Sequence, residues 1–307
     1  MKIITRNNAQ FFLLLNALFW GSSYIWQKML LSFLPSFSIL FICAVIGLAA
    51  TYLIFRKQLN NFSKKAVIIS TLISLVSVIS NTFCMLALKR TSGSNTAFIV
   101  QLSIVITPII MAILEKKSPS AKTIVLAISA MAGIYLITCA GKGLNINLGD
   151  IFALCNAIFF SLFLALQKKF SQIINPIQFT FVQHATNLVM FFGLAMIFEA
   201  GSITFSNALS PIFFLLIGLN AMVTIFTALF QSSAIKYVRP ENATILYAFE
   251  PVTTALLGAI LLGEHFSGIA SIIGCVVILL TVIVSAVKPP RFIVKKWVKL
   301  RITSNIR

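Results

Sequence analysis

Asn16-Ala17-Leu18-Phe19-Trp20, followed by Gln27-Lys28, returns 140 residues later as Asn156-Ala157-Ile158-Phe159-Phe160, followed by Gln167-Lys168. Phe12/Phe152 and Leu14/Leu154 keep the same offset, and Ala87, Lys89 and Asn95 pair with Ala234, Lys236 and Asn242 at an offset of 147. A longer connection between the seventh and eighth apolar segments would absorb the difference. A repeat of this length sets the architecture before any single motif does. The segments that repeat are almost wholly apolar, so the duplicated unit is read as a bundle of membrane helices.

The composition agrees. Of 307 residues, 59 % are hydrophobic and 10 % charged, with 28 Phe, only 6 Asp and Glu together, and a mean hydropathy of +1.01. A soluble domain carries about 25 % charge, so this chain lacks the polar surface to cover a globule in water. Spanning helices take roughly 20 apolar residues each. The sequence predicts ten, at about 11–31, 35–55, 66–88, 94–114, 122–140, 150–169, 178–198, 211–235, 242–263 and 267–287. Helices are required because open strands leave backbone groups unsatisfied in lipid. The fold class expected is therefore an all-α polytopic membrane protein. Residues 11–140 form a first five-helix repeat, 150–287 a second, and 288–307 a basic tail.

Five spans per repeat is an odd number, so the two halves enter the membrane from opposite sides, the inverted-repeat topology of many secondary transporters. Lys2 and Arg6 ahead of Phe11-Phe12-Leu13-Leu14-Leu15 have the outline of a secretory signal, but cleavage there would destroy one member of a matched pair. The net charge of +18 comes from clusters between spans. With the N-terminus inside, 20 of the 24 lysines and arginines face the cytoplasm and only Lys28, Lys89, Arg90 and Lys142 face outward. That imbalance predicts both termini in the cytoplasm and an inner-membrane location, and assigns the positive charge to topology rather than to nucleic acid. The five cysteines, Cys43, Cys84, Cys139, Cys155 and Cys275, all lie in apolar runs and read as small hydrophobes, with no disulfide framework, metal set or cofactor implied.

The chain resembles the EamA-type ten-span members of the drug/metabolite transporter superfamily over essentially its whole length. The residues carrying the resemblance are Phe19-Trp20-Gly21-Ser22-Ser23, Gly149-Asp150, Glu250-Pro251-Val252 and Leu261-Leu262-Gly263-Glu264, with Glu115-Lys116-Lys117 as a weaker version of the last. The resemblance implies two five-helix bundles around a central cavity, small organic solutes as cargo, and export as the usual direction. It does not name a substrate.

Polar side chains in lipid are costly and turn toward a bundle interior or a wet cavity. At helical spacing, Asn16, Trp20, Ser23 and Gln27 fall on one face of the first span, and Asn220, Thr224, Thr227 and Gln231 on one face of the eighth. The third span has Ser70, Ser74, Ser77 and Asn81, and the sixth has Asn156 and Gln167 with Phe160 and Phe163 between them. Small hydroxyls also suit close helix packing, which fits the serines; large amides and Trp point instead to one shared cavity. Gln183, His184 and Asn187 in span 7 and Gln101 in span 4 join the candidates. A lone histidine is more often a packing residue than a proton carrier. Pro108 and Pro251 are candidate hinges, since each removes a backbone N–H. Tyr247 and Glu250 lie at i, i+3, placing the hydroxyl within reach of the carboxyl. Glu250 is the acid well inside a predicted span, and three roles stay open: proton coupling, counter-charge for a cationic cargo, or a structural carboxylate. Glu264, at the end of span 9, suits an outer loop. Ile293, Trp297 and Leu300 between lysines suit a tail lying on anionic lipid.

These features predict a secondary transporter of a small metabolite such as an amino acid, with H+ as a candidate coupling ion and the bilayer as its other partner. Proton-coupled multidrug or cation efflux is the alternative, and a non-transporting receptor or scaffold the third. No Walker loop, paired aspartates, Gly-x-Ser-x-Gly or His-Glu-x-x-His element is present, so no catalytic residue is proposed. Oligomeric state is not legible.

Overall fold

The computed structural model describes residues 4–138, 147–201, 210–263 and 268–286. The Lys142 loop, Cys139, Glu264 and the basic tail lie outside the described residues.

Among the described residues the regular structure is helical. Chain order gives α1 (Ala9–Leu30), α2 (Ser36–Phe55), α3 (Lys64–Arg90), α4 (Gly93–Val100), α5 (Ser103–Glu115) and α6 (Ala121–Thr138). There follow α7 (Leu148–Lys169), α8 (Pro176–Phe198), α9 (Pro211–Ala234), α10 (Pro240–Tyr247), α11 (Glu250–Leu262) and α12 (Ile269–Ala286). Every predicted span coincides with a helix to within a few residues, but the fourth and ninth are each split in two.

Seven helical segments are long and apolar enough to cross a membrane: Ser36–Gln58, Lys64–Arg90, Gly93–Glu115, Leu148–Lys169, Pro176–Phe198, Pro211–Ala234 and Pro240–Leu262. Ala121–Leu136 and Ile269–Ser285 are shorter apolar helices. α1, diluted by Asn16, Gln27 and Lys28, is not in that set. Large apolar side chains such as Leu53, Ile113, Ile197 and Ile269 are exposed on the outside of the bundle, each at 70 % or more, as lipid-facing positions are. The chain is a multi-pass membrane protein.

Helix starts follow the local chemistry. Asn147 caps α7 in a reciprocal capping box: its side chain accepts from Gly149 and Asp150 N–H at 2.7 and 3.2 Å, while Asp150 accepts from the Asn147 N–H at 2.9 Å. Pro176, Pro211 and Pro240 open α8, α9 and α10 where the missing N–H costs nothing.

The packing has a regular pairing. α3 lies along α7, as α9 lies along α1; α3 also meets α8, as α9 meets α2. α2 packs on α8, α6 on α12, α4 on α11 and α5 on α10. Since lipid tails are as apolar as leucine, close approach rather than water exclusion holds such helices together. At Gly21 a Cβ would sit 2.6 Å from the Glu250 carbonyl oxygen and 2.7 Å from the Thr253 Cβ; with none there, α1 and α11 touch, and Thr254 Oγ1 donates to the Gly21 carbonyl at 2.8 Å.

The repeated Gln-Lys pair has a structural purpose. Lys28 Nζ donates to the carbonyls of Leu88 and Thr91 at 2.5 and 2.8 Å, and Lys168 Nζ to those of Ile235 and Lys236 at 3.0 and 2.9 Å. Each lysine thus ends one helix by satisfying the terminal carbonyls of its neighbour, α3 or α9, where a cation also suits the helix dipole. The two lysines mark opposite ends of the bundle, called here the Lys28 end and the Lys168 end.

Candidate functional site

A cavity of about 130 Å³ lies between the two sets of helices. α1 supplies Trp20, Ser23 and Gln27, α8 supplies Gln183, His184 and Asn187, and α9 supplies Thr224, Thr227 and Gln231. Asn81 on α3, Asn156 on α7 and Glu250 at the head of α11 complete the polar wall, and Phe160, Phe163 and Phe191 supply apolar faces. The helical stripes read from sequence therefore converge on one space.

Five candidates lie behind that wall instead. Asn16, Gln101, Gln167, Asn220 and Tyr247 are each buried to 1 % exposure or less and do not line the cavity. Four of them take part in hydrogen bonds that hold lining groups. Gln27 Nε2 donates to Asn220 Oδ1 at 3.3 Å, and Asn220 Nδ2 to Cys43 Sγ at 3.2 Å. Asn16 Nδ2 donates to the Tyr247 hydroxyl at 3.4 Å, that hydroxyl to Gln231 Oε1 at 3.5 Å, and Gln231 Nε2 to Gln167 Oε1 at 2.7 Å. Trp20 stands edge-on to both Tyr247 and Phe160, with centroids 5.0 and 5.2 Å away. This chain of four polar residues from α1, α10, α9 and α7, capped by Trp20, floors the cavity toward the Lys168 end.

Adding or removing the repeat offsets maps Asn16 onto Asn156, Gln167 onto Gln27, Gln231 onto Cys84 and Tyr247 onto Val100. All four of these second positions line the cavity. Replacing Tyr by Val and Gln by Cys removes the groups that link the floor, and Asn156 turns instead to Ser80, donating to its carbonyl and hydroxyl at 2.7 and 2.9 Å. The two ends of the cavity are built differently at equivalent places.

Several expectations are corrected. The fourth span breaks at Gln101-Leu102, while Pro108 lies inside α5. The break is a tight turn, with Gln101 and Leu102 N–H bonding to the carbonyls of Phe98 and Ile99, three residues back. The ninth span breaks at Ala248-Phe249, just before Pro251, with the same pattern. Because that break separates Tyr247 from Glu250, the i, i+3 partnership fails: the Tyr247 hydroxyl goes to Gln231, and the hydroxyl donating to Glu250 Oε2, at 3.4 Å, belongs to Tyr24 of α1. Gln101 also faces the Glu250 carboxyl. Of the span 3 serines, Ser70 and Ser74 are packing residues, Ser74 Oγ donating to the Ser70 carbonyl at 2.7 Å. Ser77 lines the cavity and accepts from Asn81 and Gln183 at 3.3 and 3.2 Å.

Sequence reasoning passed over Tyr24, Ser80 and two cysteines, Cys43 and Cys84, all of which line the cavity. It also missed Glu199. That carboxylate, 7 % exposed, caps α2 from the end of α8, accepting from Phe37 N–H, Ser38 N–H and Ser38 Oγ at 2.8, 2.8 and 2.9 Å. At the Lys28 end, Asn95 bonds Asp150. At the Lys168 end, Arg239 bridges Glu241 at 2.8 Å and Glu115 at 2.9 Å. The bonds to Glu241 raise the Arg239 pKa, whereas burial lowers that of Lys236 beside it.

Comparison with known proteins follows the same outline. The model of the EamA-like transporter family matches twice, over residues 7–139 and 147–287. An uncharacterized transporter from Archaeoglobus fulgidus is 24 % identical over 289 residues, covering 93 % of this chain and 88 % of that one. A protein of known crystal structure superposes with a TM-score of 0.75 at 16 % identity, covering 92 % of this chain and 99 % of its own; at that identity the likeness is one of fold.

Proposed function

We propose, from the premise that this chain belongs to the EamA-like transporter family, that it is a secondary transporter exporting a small organic metabolite by alternating access. The chain crosses the cytoplasmic membrane ten times: the seven long apolar segments, the two shorter ones and α1. The halves are inverted repeats of one another. Two successive matches to one family model support this, as does the exchange of partners in the packing. Element boundaries add to it: α4, α5 and the break between them reappear in α10, α11 and theirs at a constant offset of 147. The excess of positive charge on one side supports both termini in the cytoplasm, with the Lys168 end inward; a reporter fused after residue 286 should be active only on the cytoplasmic side.

The observation that carries the proposal is the cavity itself. It draws polar walls from both halves, and one end is closed by a hydrogen-bonded floor whose counterparts at the other end bond elsewhere, Gln27 to Asn220 and Asn156 to Ser80, and not to one another. Exchanging which end is linked would carry a solute across without opening both ends. Discontinuous helices near the middle of a bundle are where such transporters hold cargo, and Glu250 stands at such a break.

The test is counterflow into proteoliposomes holding the full-length protein, screened with amino acids, nucleosides, cofactors and organic cations, with and without a pH gradient. Exchange of a defined solute set supports transport, and stimulation by the gradient supports H+ as coupling ion. No flux for any solute class would favour a receptor.

A further inference from the structure

The chemistry of the wall narrows the cargo. Among the described residues that line the cavity there is no lysine or arginine, and one carboxyl group, Glu250. Glu250 is 2 % exposed; its Oε2 accepts from Tyr24, the neutral amide of Gln101 faces the carboxyl, and no cation pairs with it among the described residues. It is the first residue of α11, where the free N–H groups of the first turn favour negative charge. A buried anion without a counter-ion is expensive, and Lys28, which lies nearest along α1, is already committed to the end of α3.

Two further features point the same way. Gln183 Oε1 and Asn187 Oδ1 are buried acceptors without partners on the wall contributed by α8. Trp20 and Phe160 line the same space, and aromatic faces attract cations as well as apolar groups. The one basic side chain among the described lining residues, His184, has its ring wedged against Gly47, so that Nδ1 is 2.7 Å from where a Cβ would stand.

We infer that the cavity is a binding site for small organic ammonium solutes, with Glu250 as counter-charge for the ammonium group and the edge-on Trp20–Phe160 pair forming one wall for an apolar or aromatic remainder. An anion would face Glu250 with no cation to receive it. A neutral solute of the same shape could donate a hydrogen bond to Glu250 but would bring no counter-charge. This rests on the transport proposal for its biological meaning but not for its test.

The test is binding to purified full-length protein, read as thermal stabilisation in detergent with increasing 2-phenylethylammonium, 2-phenylethanol or 3-phenylpropionate. The expected result is an apparent Kd for the ammonium at least about tenfold below that of the alcohol, no stabilisation by the carboxylate, and collapse of the ratio toward one in Glu250→Gln. Should that variant not fold, carbodiimide labelling of wild-type Glu250, read by mass spectrometry, serves instead: the ammonium should protect it and the alcohol should not. Equal affinity for ammonium and alcohol, absence of binding by either, a preference that survives Glu250→Gln, or equal protection would each overturn the inference. The transport proposal fails separately: binding of the ammonium with no counterflow of any solute sinks transport alone, while counterflow of neutral solutes without ammonium preference sinks this inference alone.

Discussion

Gly47 has no side chain, and the ring of His184 occupies the space where one would be. A Cβ there would lie 2.7 Å from Nδ1 and 2.8 Å from Cε1, so the buried ring would have to leave its seat on α2 and shift toward the cavity it lines. Gly47→Ala should therefore cost about 1–3 kcal/mol, seen as a lower midpoint of thermal unfolding in detergent. Gly193→Ala, on α8 with nothing within 4 Å, should leave the midpoint unchanged or raise it; no loss at either site would show that the ring yields. Glu199 offers a second case. Glu199→Ala strips the acceptors from two backbone N–H groups and the Ser38 hydroxyl, a loss of about 1–3 kcal/mol, and Glu199→Gln should lose less by keeping one oxygen; matching midpoints for the wild type and both variants would deny the cap. Neither contact was legible in the sequence. Glu199 stands at the edge of a span, where an acid reads as loop, and nothing in a chain of letters says that Gly47 and His184 meet.

The elements themselves were legible, because apolar runs of about twenty residues separated by polar turns leave little choice of helix position. The breaks in spans 4 and 9 were not. Proline was the available signal, and it pointed to Pro108, six residues beyond the turn at Leu102. The equivalent of Pro251 in the first half is Ile104, so one break of the pair forms without any proline. What the two breaks share is position in the packing, α4 against α11 and α10 against α5, a tertiary cause that no local pattern announces. Pro108→Ala and Pro251→Ala should accordingly each leave counterflow close to the wild-type rate; loss of exchange in Pro108→Ala would restore proline as the hinge. The candidate site shows a similar division. Amide and aromatic stripes identified most of the cavity wall, since their periodicity is local. Which of those residues form the wall and which brace it from behind, as Asn16, Gln167 and Tyr247 do, depends on neighbours more than sixty positions away for all but the Tyr247–Gln231 contact.

For the whole molecule, the unequal ends of the cavity predict a bias in its resting population. Gln231 and Gln167 are bonded at the Lys168 end, whereas the equivalent pair at the Lys28 end is Cys84 and Gln27. Cys84→Gln supplies the missing amide and should draw α1 and α3 together there, shifting the equilibrium between the two states. In a chain otherwise free of cysteine, a single cysteine replacing Ser23 should then react several-fold more slowly with a membrane-impermeant thiol reagent than with Cys84→Ser in the background; equal rates would mean that the pair does not govern access. The weak hydropathy of α1 has a consequence of another kind, in the order of synthesis. α1 is too polar to be in the set of long apolar segments, and its main packing partners are α9 and α11, the first of which begins at Pro211. At about 5–20 residues per second of translation, the ribosome needs on the order of 10–40 seconds after finishing α1 to supply α9. During that interval α1 has no permanent neighbour for Asn16 or Gln27, whose partners are Tyr247 and Asn220, and must shelter against the insertion machinery or a temporary partner. α1, made long before α9, thus settles only after it.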